Sequence, residues 1–354
     1  MPEFKFNLPN GADLSRSQMK AINSERPIFL TGVPGSGKTV VSVYRIKESK
    51  NKTALFTYGK LLRFAIEKTV ADDTKEIHNI HRWFYDTTGI WLSRINDNNY
   101  DHCQKSLTDK FKDEDKYNGI FVDEGQDFKP IFFKLLDKIT GNLSVSADDA
   151  QQVYRDRGTE QQILEILPNL YKIELTENYR NGYEIYNFAR QFVPNNPRAN
   201  DKNMLEKLKQ NQKNSDIPTI YVENELNDTF DTVANILKDN KGYNIGILCD
   251  NILSVETYAK KIPDEHETTI YTSENNQINN LQNIIITTFK SAKGLEFDIV
   301  IMPHFQRLNE EHAKEYYVGA TRAKSSLYLL AIKKLPEMLE KMDKNTYELK
   351  KVLK

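Results

Sequence analysis

Cysteine is nearly absent: Cys103 and Cys249 are the only two in 354 residues. A disulfide framework is excluded, and a reducing compartment is the simpler setting. Also missing is any apolar run near the roughly 18–20 residues that span a bilayer, so no membrane role is expected. The N-terminus carries Glu3 and no apolar segment, so no signal peptide is expected, and the reading is cytoplasmic. Charge of one sign is not in excess either: Lys+Arg total 49 against Asp+Glu 50, a net of −1. That excludes a uniformly basic nucleic-acid coat but leaves room for a local basic groove, because steering depends on where charge lies. What is present is 39% hydrophobic and 10% aromatic content, enough to fill cores and to exclude wholesale disorder. The length suits two domains.

Short β-branched runs alternate with longer amphipathic stretches. Strands are expected at Ile28–Thr31, Thr53–Thr57, Ile120–Val122, Leu143–Val145 and Ile173–Leu175, and again at Thr219–Val222, Ile245–Leu248, Ile284–Thr287, Ile299–Met302 and Leu327–Ala331. This alternation predicts an α/β fold of βαβ units around parallel sheets, and ten strands suit two sheets better than one. An Asn- and Lys-rich stretch between Pro194 and Pro218 marks the boundary. It separates a first domain at 1–193 from a second at 219–354, with 194–218 as a linker or exposed segment. The polar stretch Arg94 to Asn118 reads as an insertion out of the first sheet or, more simply, as a solvated loop. Past Ile332, Leu335, Met338, Leu339 and Met342 fall at helical spacing and predict a C-terminal helix.

The strongest chemical signal is Gly32-Val33-Pro34-Gly35-Ser36-Gly37-Lys38-Thr39, which fits G-x-x-x-x-G-K-[ST] between an apolar run and a helical stretch. Glycines let backbone N–H groups wrap a phosphate, and the helix start adds a positive dipole end. Lys38 suits the β/γ-phosphates and Thr39 a Mg²⁺ ion. A second signal is Ile120-Phe121-Val122-Asp123-Glu124, an apolar strand ending in two acids. One acid can hold Mg²⁺ and the other activate water; alone, such an ending is equally well a solvated acidic turn.

Asp123-Glu124-Gly125-Gln126-Asp127 resembles the second motif of superfamily 1 helicases of the UvrD/Rep kind, and further segments resemble that family's motifs in order. Leu14 to Gln18 resembles the Q motif, which implies that Gln18 reads adenine. Ala54 to Tyr58 and Ile77 to Trp83 resemble strand-binding segments, implying nucleic-acid roles for Thr57, Tyr58, His81 and Trp83. Ala147 to Tyr154 resembles the motif whose Gln senses the γ-phosphate, here Gln151, with Tyr154 toward nucleic acid. Glu177-Asn178-Tyr179-Arg180 implies Arg180 as a phosphate contact. Thr288 to Phe297 resembles motif V, with Lys290 toward the strand and Glu296 toward nucleotide. Tyr317 to Ala323 resembles motif VI, with Arg322 as arginine finger. The resemblance implies two RecA-like domains with ATP in the interdomain cleft, Mg²⁺ as cofactor, and ATP-driven movement on single-stranded nucleic acid, DNA ahead of RNA.

Departures from the family are specific. Asp156 stands where a base-stacking aromatic is expected, Ala147 replaces a Gly and Lys290 a His. The gaps from Leu92 to Asn118 and from Pro263 to Asn283 are too short for accessory subdomains, since autonomous folds usually need more than about 40 residues. These features leave an alternative open: a regulatory ATPase subunit that gates a protein partner, such as a nuclease or other effector, without unwinding by itself. His78 and His81 form H-x-x-H, but no C-x-x-C accompanies them and a strand-binding role is the stronger reading.

Overall fold

A computed structural model describes the chain except residues 1, 2, 5, 7, 73, 153–156, 212, 213, 264, 265, 274–277, 279 and 352–354. Two compact units are present, one of residues 7–176 and one of residues 1–6 with 177–354.

The unit of residues 7–176 holds strands β1 Ile28–Gly32, β2 Thr53–Thr57, β3 Glu76–Asn79, β4 Gly119–Val122, β5 Leu143–Ala147 and β6 Tyr171–Leu175. They form one sheet in the order β3-β2-β4-β5-β1-β6, with every pairing parallel. Helices α1 Arg16–Ile22, α2 Lys38–Glu48, α3 Lys60–Val70, α4 Ile80–Thr88, α5 Asp97–Lys110, α6 Pro130–Leu136 and α7 Glu160–Ile166 connect them. Parallel crossovers place helices on both faces, so the central strands are buried on both sides. β1 shows this directly. Phe29 joins Phe56, Phe84, Val122, Phe132 and Val145 on one face, while Ile28 and Leu30 join Ala21, Val41, Ile173 and Leu175 on the other.

The second unit holds β7 Thr219–Glu223, β8 Ile245–Cys249, β9 Thr268–Ile270, β10 Ile284–Thr288, β11 Phe297–Met302, β12 Ala323–Ile332 and β13 Glu348–Lys351. Their order is β13-β7-β12-β11-β8-β10-β9, again all parallel. Its helices are α8 Tyr183–Ala189, α9 Lys202–Gln210, α10 Leu226–Asp239, α11 Ile252–Ala259 and α12 Ala313–Ala320. Ile245, Ile247, Ile284, Ile286, Ile299 and Ile301 build its core against α10 and α11. The chain start belongs here too: Phe4 N donates to Leu281 O, and the Phe4 ring packs on Phe297.

The expected strands and the two-sheet α/β class are present, and three expectations are corrected. Residues 177–193 belong to the second unit rather than the first. Asn181 Nδ2 donates to the Thr321 and Ala323 carbonyls and Gly182 N to Lys324 O, which ties the segment to β12. The stretch after Arg94 is no solvated loop but α5, capped by Asn96 and seated by buried Cys103 and Leu107. The predicted C-terminal helix is instead a short 3₁₀ segment, Glu337–Lys341, followed by β13. Pro336 starts that segment, and the buried Leu339 and Met342 that suggested helix pack from it.

Candidate nucleotide site

In the first unit, the C-terminal ends of β1, β4 and β5 lie side by side, and each delivers part of one polar cluster, as ligand sites in open α/β sheets do. From β1 the chain turns through Gly32, Gly35 and Gly37, whose φ values are 157°, 76° and 90°. The last two occupy the left-handed region that glycine tolerates best. A Cβ at Gly37 would also run into the Gln18 amide. Lys38, the first residue of α2, folds back over this loop and donates to Gly32 O at 2.6 Å and Val33 O at 3.2 Å. Gln18 holds the same loop: its Nε2 donates to Ser36 O at 3.0 Å while its Oε1 accepts from Ser15 N at 2.8 Å. Ser36 Oγ is buried without a hydrogen-bond partner among the described residues, an unused donor inside the loop.

β4 delivers Asp123 and Glu124. Asp123 accepts from Thr39 Oγ1 at 2.7 Å and from Ser146 Oγ on β5. Burial pushes the Asp123 carboxyl above the ordinary range and the adjacent Glu124 pushes it further, while Ser146, Thr39 and Lys38 act the other way. A buried carboxylate beside a second acid and a hydroxyl is a donor set that suits a hard divalent cation. Glu124 sits at φ 57°, a left-handed conformation that costs a non-glycine residue roughly 1–2 kcal/mol. Gln126 clamps it: Gln126 Nε2 donates to Glu124 Oε2 and its Oε1 accepts from Asp148 N at 2.9 Å. After β5, Asp148 Oδ2 lies 3.6 Å from Lys38 Nζ and accepts from Gln151 Nε2 at 2.7 Å.

The structure thus brings together Gln18, the loop from Gly32 through Thr39, Asp123, Glu124 and Gln151. Asp148, Ser146 and Gln126 complete the cluster and were not singled out from sequence. Gln126 and Asp148 lay inside the matched motifs, but their partners come from another strand and only the sheet order reveals them.

The second unit has its own cluster. Glu296 Oε2 lies 3.1 Å from Arg180 Nε, and its Oε1 lies 2.8 Å from Lys324 Nζ. Burial raises the Glu296 carboxyl, but Arg180 and Lys324 outweigh burial and hold it below the ordinary range. Arg322 is buried and donates through Nε to Val318 O at 3.0 Å. Lys290 pairs with Glu315 at 2.9 Å.

The nucleic-acid candidates divide. Tyr58 and His81 pack edge to face at 4.7 Å and are half-buried. Thr57 is fully buried at the end of β2, its hydroxyl donating to Gly59 O. Trp83 is corrected from a strand contact to a core residue: it packs on Phe56 at 4.6 Å and Phe111 at 5.7 Å and is 8% exposed, with no free face for a base. Tyr154 lies outside the described residues.

Residues 16–156 match the AAA domain family AAA_19, and residues 256–334 match the UvrD-like helicase C-terminal domain. An ATP-dependent DNA helicase Rep from Buchnera aphidicola subsp. Schizaphis graminum is 30% identical over 120 residues, covering 32% of this chain and 18% of that protein. These matches make the chain similar to helicases of the UvrD/Rep kind of superfamily 1. The RecBCD enzyme subunit RecB of Chlamydia pneumoniae is 44% identical over 54 residues, 14% of this chain and 5% of that protein. The chain therefore spans less than a fifth of the length of these two curated relatives. Among solved structures, the PRRSV helicase superposes with a TM-score of 0.44 at 14% identity, covering 88% of this chain and 54% of that one. The C-terminal domain of a possible DNA helicase from Lactobacillus plantarum gives 0.38 at 22% identity, covering 48% of this UvrD/Rep-like chain and 98% of the domain.

Proposed function

We propose that the chain hydrolyses ATP and uses the cycle to move on single-stranded nucleic acid, DNA ahead of RNA. The observation that carries this reading is the convergence of Lys38, Thr39, Asp123, Glu124 and Gln151 at the ends of three adjacent strands. In this reading the loop's N–H groups and Lys38 take the β/γ-phosphates, and Lys38 leaves the Gly32 and Val33 carbonyls to do so. Thr39 and Asp123 would hold Mg²⁺, which when bound neutralises phosphate charge. Glu124, fixed by Gln126, takes the proton of the attacking water. Gln151 orients that water and the γ-phosphate from its anchor on Asp148. Gln18 already spends its amide on Ser36 O, so adenine competes with the loop for that donor. Arg180 and Arg322 are the cations assigned to transition-state charge, and Tyr58, His81 and Lys290 those assigned to the strand.

Phosphate release measured side by side with single-stranded DNA, duplex DNA and RNA tests the proposal. Stimulation by single strands is expected, strongest with DNA. Lys38→Ala and Glu124→Gln should each lower kcat by at least about 10²-fold, and Arg322→Ala by about 10³-fold. Turnover that no nucleic acid stimulates would reject movement on a strand while leaving ATP hydrolysis standing.

A further inference from the structure

At the N-terminal end of the first sheet, opposite the nucleotide cluster, lies a half-open cavity of about 230 Å³. Its walls come from the end of α1 (Ile22, Ser24), the end of α2 (Arg45, Glu48, Ser49), and the starts of β2 and β4. The nucleotide reading makes no use of it. Arg45 lies seven residues beyond Lys38 on α2, about 10 Å along the helix axis.

Arg45 as a whole residue is 8% exposed. Nη1 donates to the Ala21 and Ile22 carbonyls, and the group lies over the Phe121 ring at 4.7 Å. No described carboxylate pairs with it, and Nε has no hydrogen-bond partner among the described residues. Burial accordingly lowers Arg45 to about 10. A withdrawn cation without a counterion is costly, and an anion arriving at the cavity offsets that cost. Two further wall residues hold a polar atom withdrawn from solvent and without a partner among the described residues, Thr53 Oγ1 and Asn142 Oδ1, which a side-chain turn would bring to the cavity. Beside the apolar Ile22 and Phe121 and the backbone of Gly119, the rest of the lining is uncharged and hydrogen-bonding (Ser24, Ser49, Asn51, Asn118) apart from Glu48, which is exposed. One cation among amides and hydroxyls is a poor match for an apolar ligand or a bare polyanion. It matches a small ligand with a single anionic head and several hydroxyls.

We propose that this cavity binds a small sugar or polyol phosphate monoester, with the phosphate on Arg45 and the hydroxyls on the surrounding amides, serines and Glu48. The site is separate from the phosphate loop and independent of the ATPase reading.

Calorimetric titration of ribose 5-phosphate into the full chain carrying Lys38→Ala, which weakens phosphate capture by the loop, tests this. Saturable binding is expected, with ribose and inorganic phosphate each at least about tenfold weaker. Arg45→Met should weaken ribose 5-phosphate by at least about tenfold. Because Arg45 also ties α2 to α1 and its loss could unfold the unit, Ser49→Trp provides a second variant that fills the cavity mouth and leaves Arg45 in place; it too should abolish binding. Absence of saturable binding, or unchanged affinity in either variant that retains its circular dichroism, overturns the site. Inorganic phosphate binding as tightly as the ester overturns the polyol assignment.

Discussion

Lys38 Nζ and Asp148 Oδ2 stand 3.6 Å apart with both side chains buried, and the same carboxylate oxygen accepts from Gln151. In the proposed ATPase reading, Asp148 therefore does two opposed things. Its negative charge competes with phosphate for Lys38, and its oxygen fixes the glutamine assigned to the attacking water. Asp148→Asn removes the competition and loosens the anchor. The expected result is a split: KM for ATP unchanged or lower, and kcat down by about tenfold. Steady-state kinetics checks it, and a rise in KM with kcat intact contradicts the arrangement.

Asp123 gives a prediction about stability. Its carboxyl is raised in the folded protein, first by burial and then by Glu124. A carboxyl raised on folding disfavours the charged native state, so stability falls as pH climbs from the unfolded pKa, about 3.9, through the folded one. Removing the charge with Asp123→Asn should therefore raise the melting temperature of nucleotide-free protein, by a gain on the order of 1–2 kcal/mol. The same variant should lose the extra stabilisation that Mg²⁺ adds to ATP. Thermal melts with and without ATP and Mg²⁺ measure both, and a lower melting temperature in nucleotide-free Asp123→Asn counts against the electrostatic account.

The central strands were legible because burial on both faces forces continuous β-branched runs: Ile284, Ile285 and Ile286 leave little choice. The strands absent from the sequence reading were β3, β9 and β13, each at a sheet edge. β13 is exposed at every position and carries Glu348, Lys350 and Lys351. Edge strands are short and polar because apolar ones would invite pairing with other chains, so their sequences resemble loops. α5 was hidden for a related reason: only Cys103 and Leu107 of its 14 residues are buried. At the site, the loop and the acids were legible because phosphate chemistry fixes their types and spacing. Ser146, Gln126 and Asp148 were not, because an ordinary serine, glutamine or aspartate gains meaning only from the strand beside it. Trp83 misled because its motif neighbours His81 and Tyr58 are half-buried near the strand ends, whereas its own position faces the core.

His81 titrates far from the usual histidine range. Burial, then the cations Arg157 and Lys60, lower it to about 4. It is therefore neutral at pH 7, and any contact with a strand is through the ring rather than through charge. Histidine lowered on folding favours the neutral native form, so stability is present above the unfolded value of about 6.5 and declines as pH falls from there toward 4. His81→Gln should flatten that part of the pH–stability curve and leave the salt dependence of nucleic-acid binding between pH 6 and 8 unchanged, on the order of zero phosphates' difference in slope. A ring-proton titration with its midpoint near 6.5 would falsify the assignment.

Glu296, in the second unit, is shifted in the direction opposite to Asp123. Burial alone would raise it, but Arg180 at 3.1 Å and Lys324 at 2.8 Å hold it below the ordinary range. A carboxylate depressed on folding contributes stability that is complete above the unfolded pKa of about 4.3 and is lost as pH falls through the lower, folded value. Glu296→Gln leaves two cations, Arg180 and Lys324, which are 12% and 16% exposed, facing one another without their shared anion. The expected cost is about 2–4 kcal/mol at pH 7, since breaking one side of a sheltered ion cluster strands the remaining charges. The cost should shrink on acidification, because the stability that the wild-type carboxylate contributes is lost progressively as pH falls from the unfolded value toward the lowered folded one. Adding Arg180→Gln to Glu296→Gln should recover part of the loss, as removing both partners is less harmful than removing one. Urea melts of wild type, Arg180→Gln, Glu296→Gln and the double variant at pH 7 and pH 3.5 decide it: additive losses in the double variant, or a cost independent of pH, contradict an electrostatic cluster centred on Glu296.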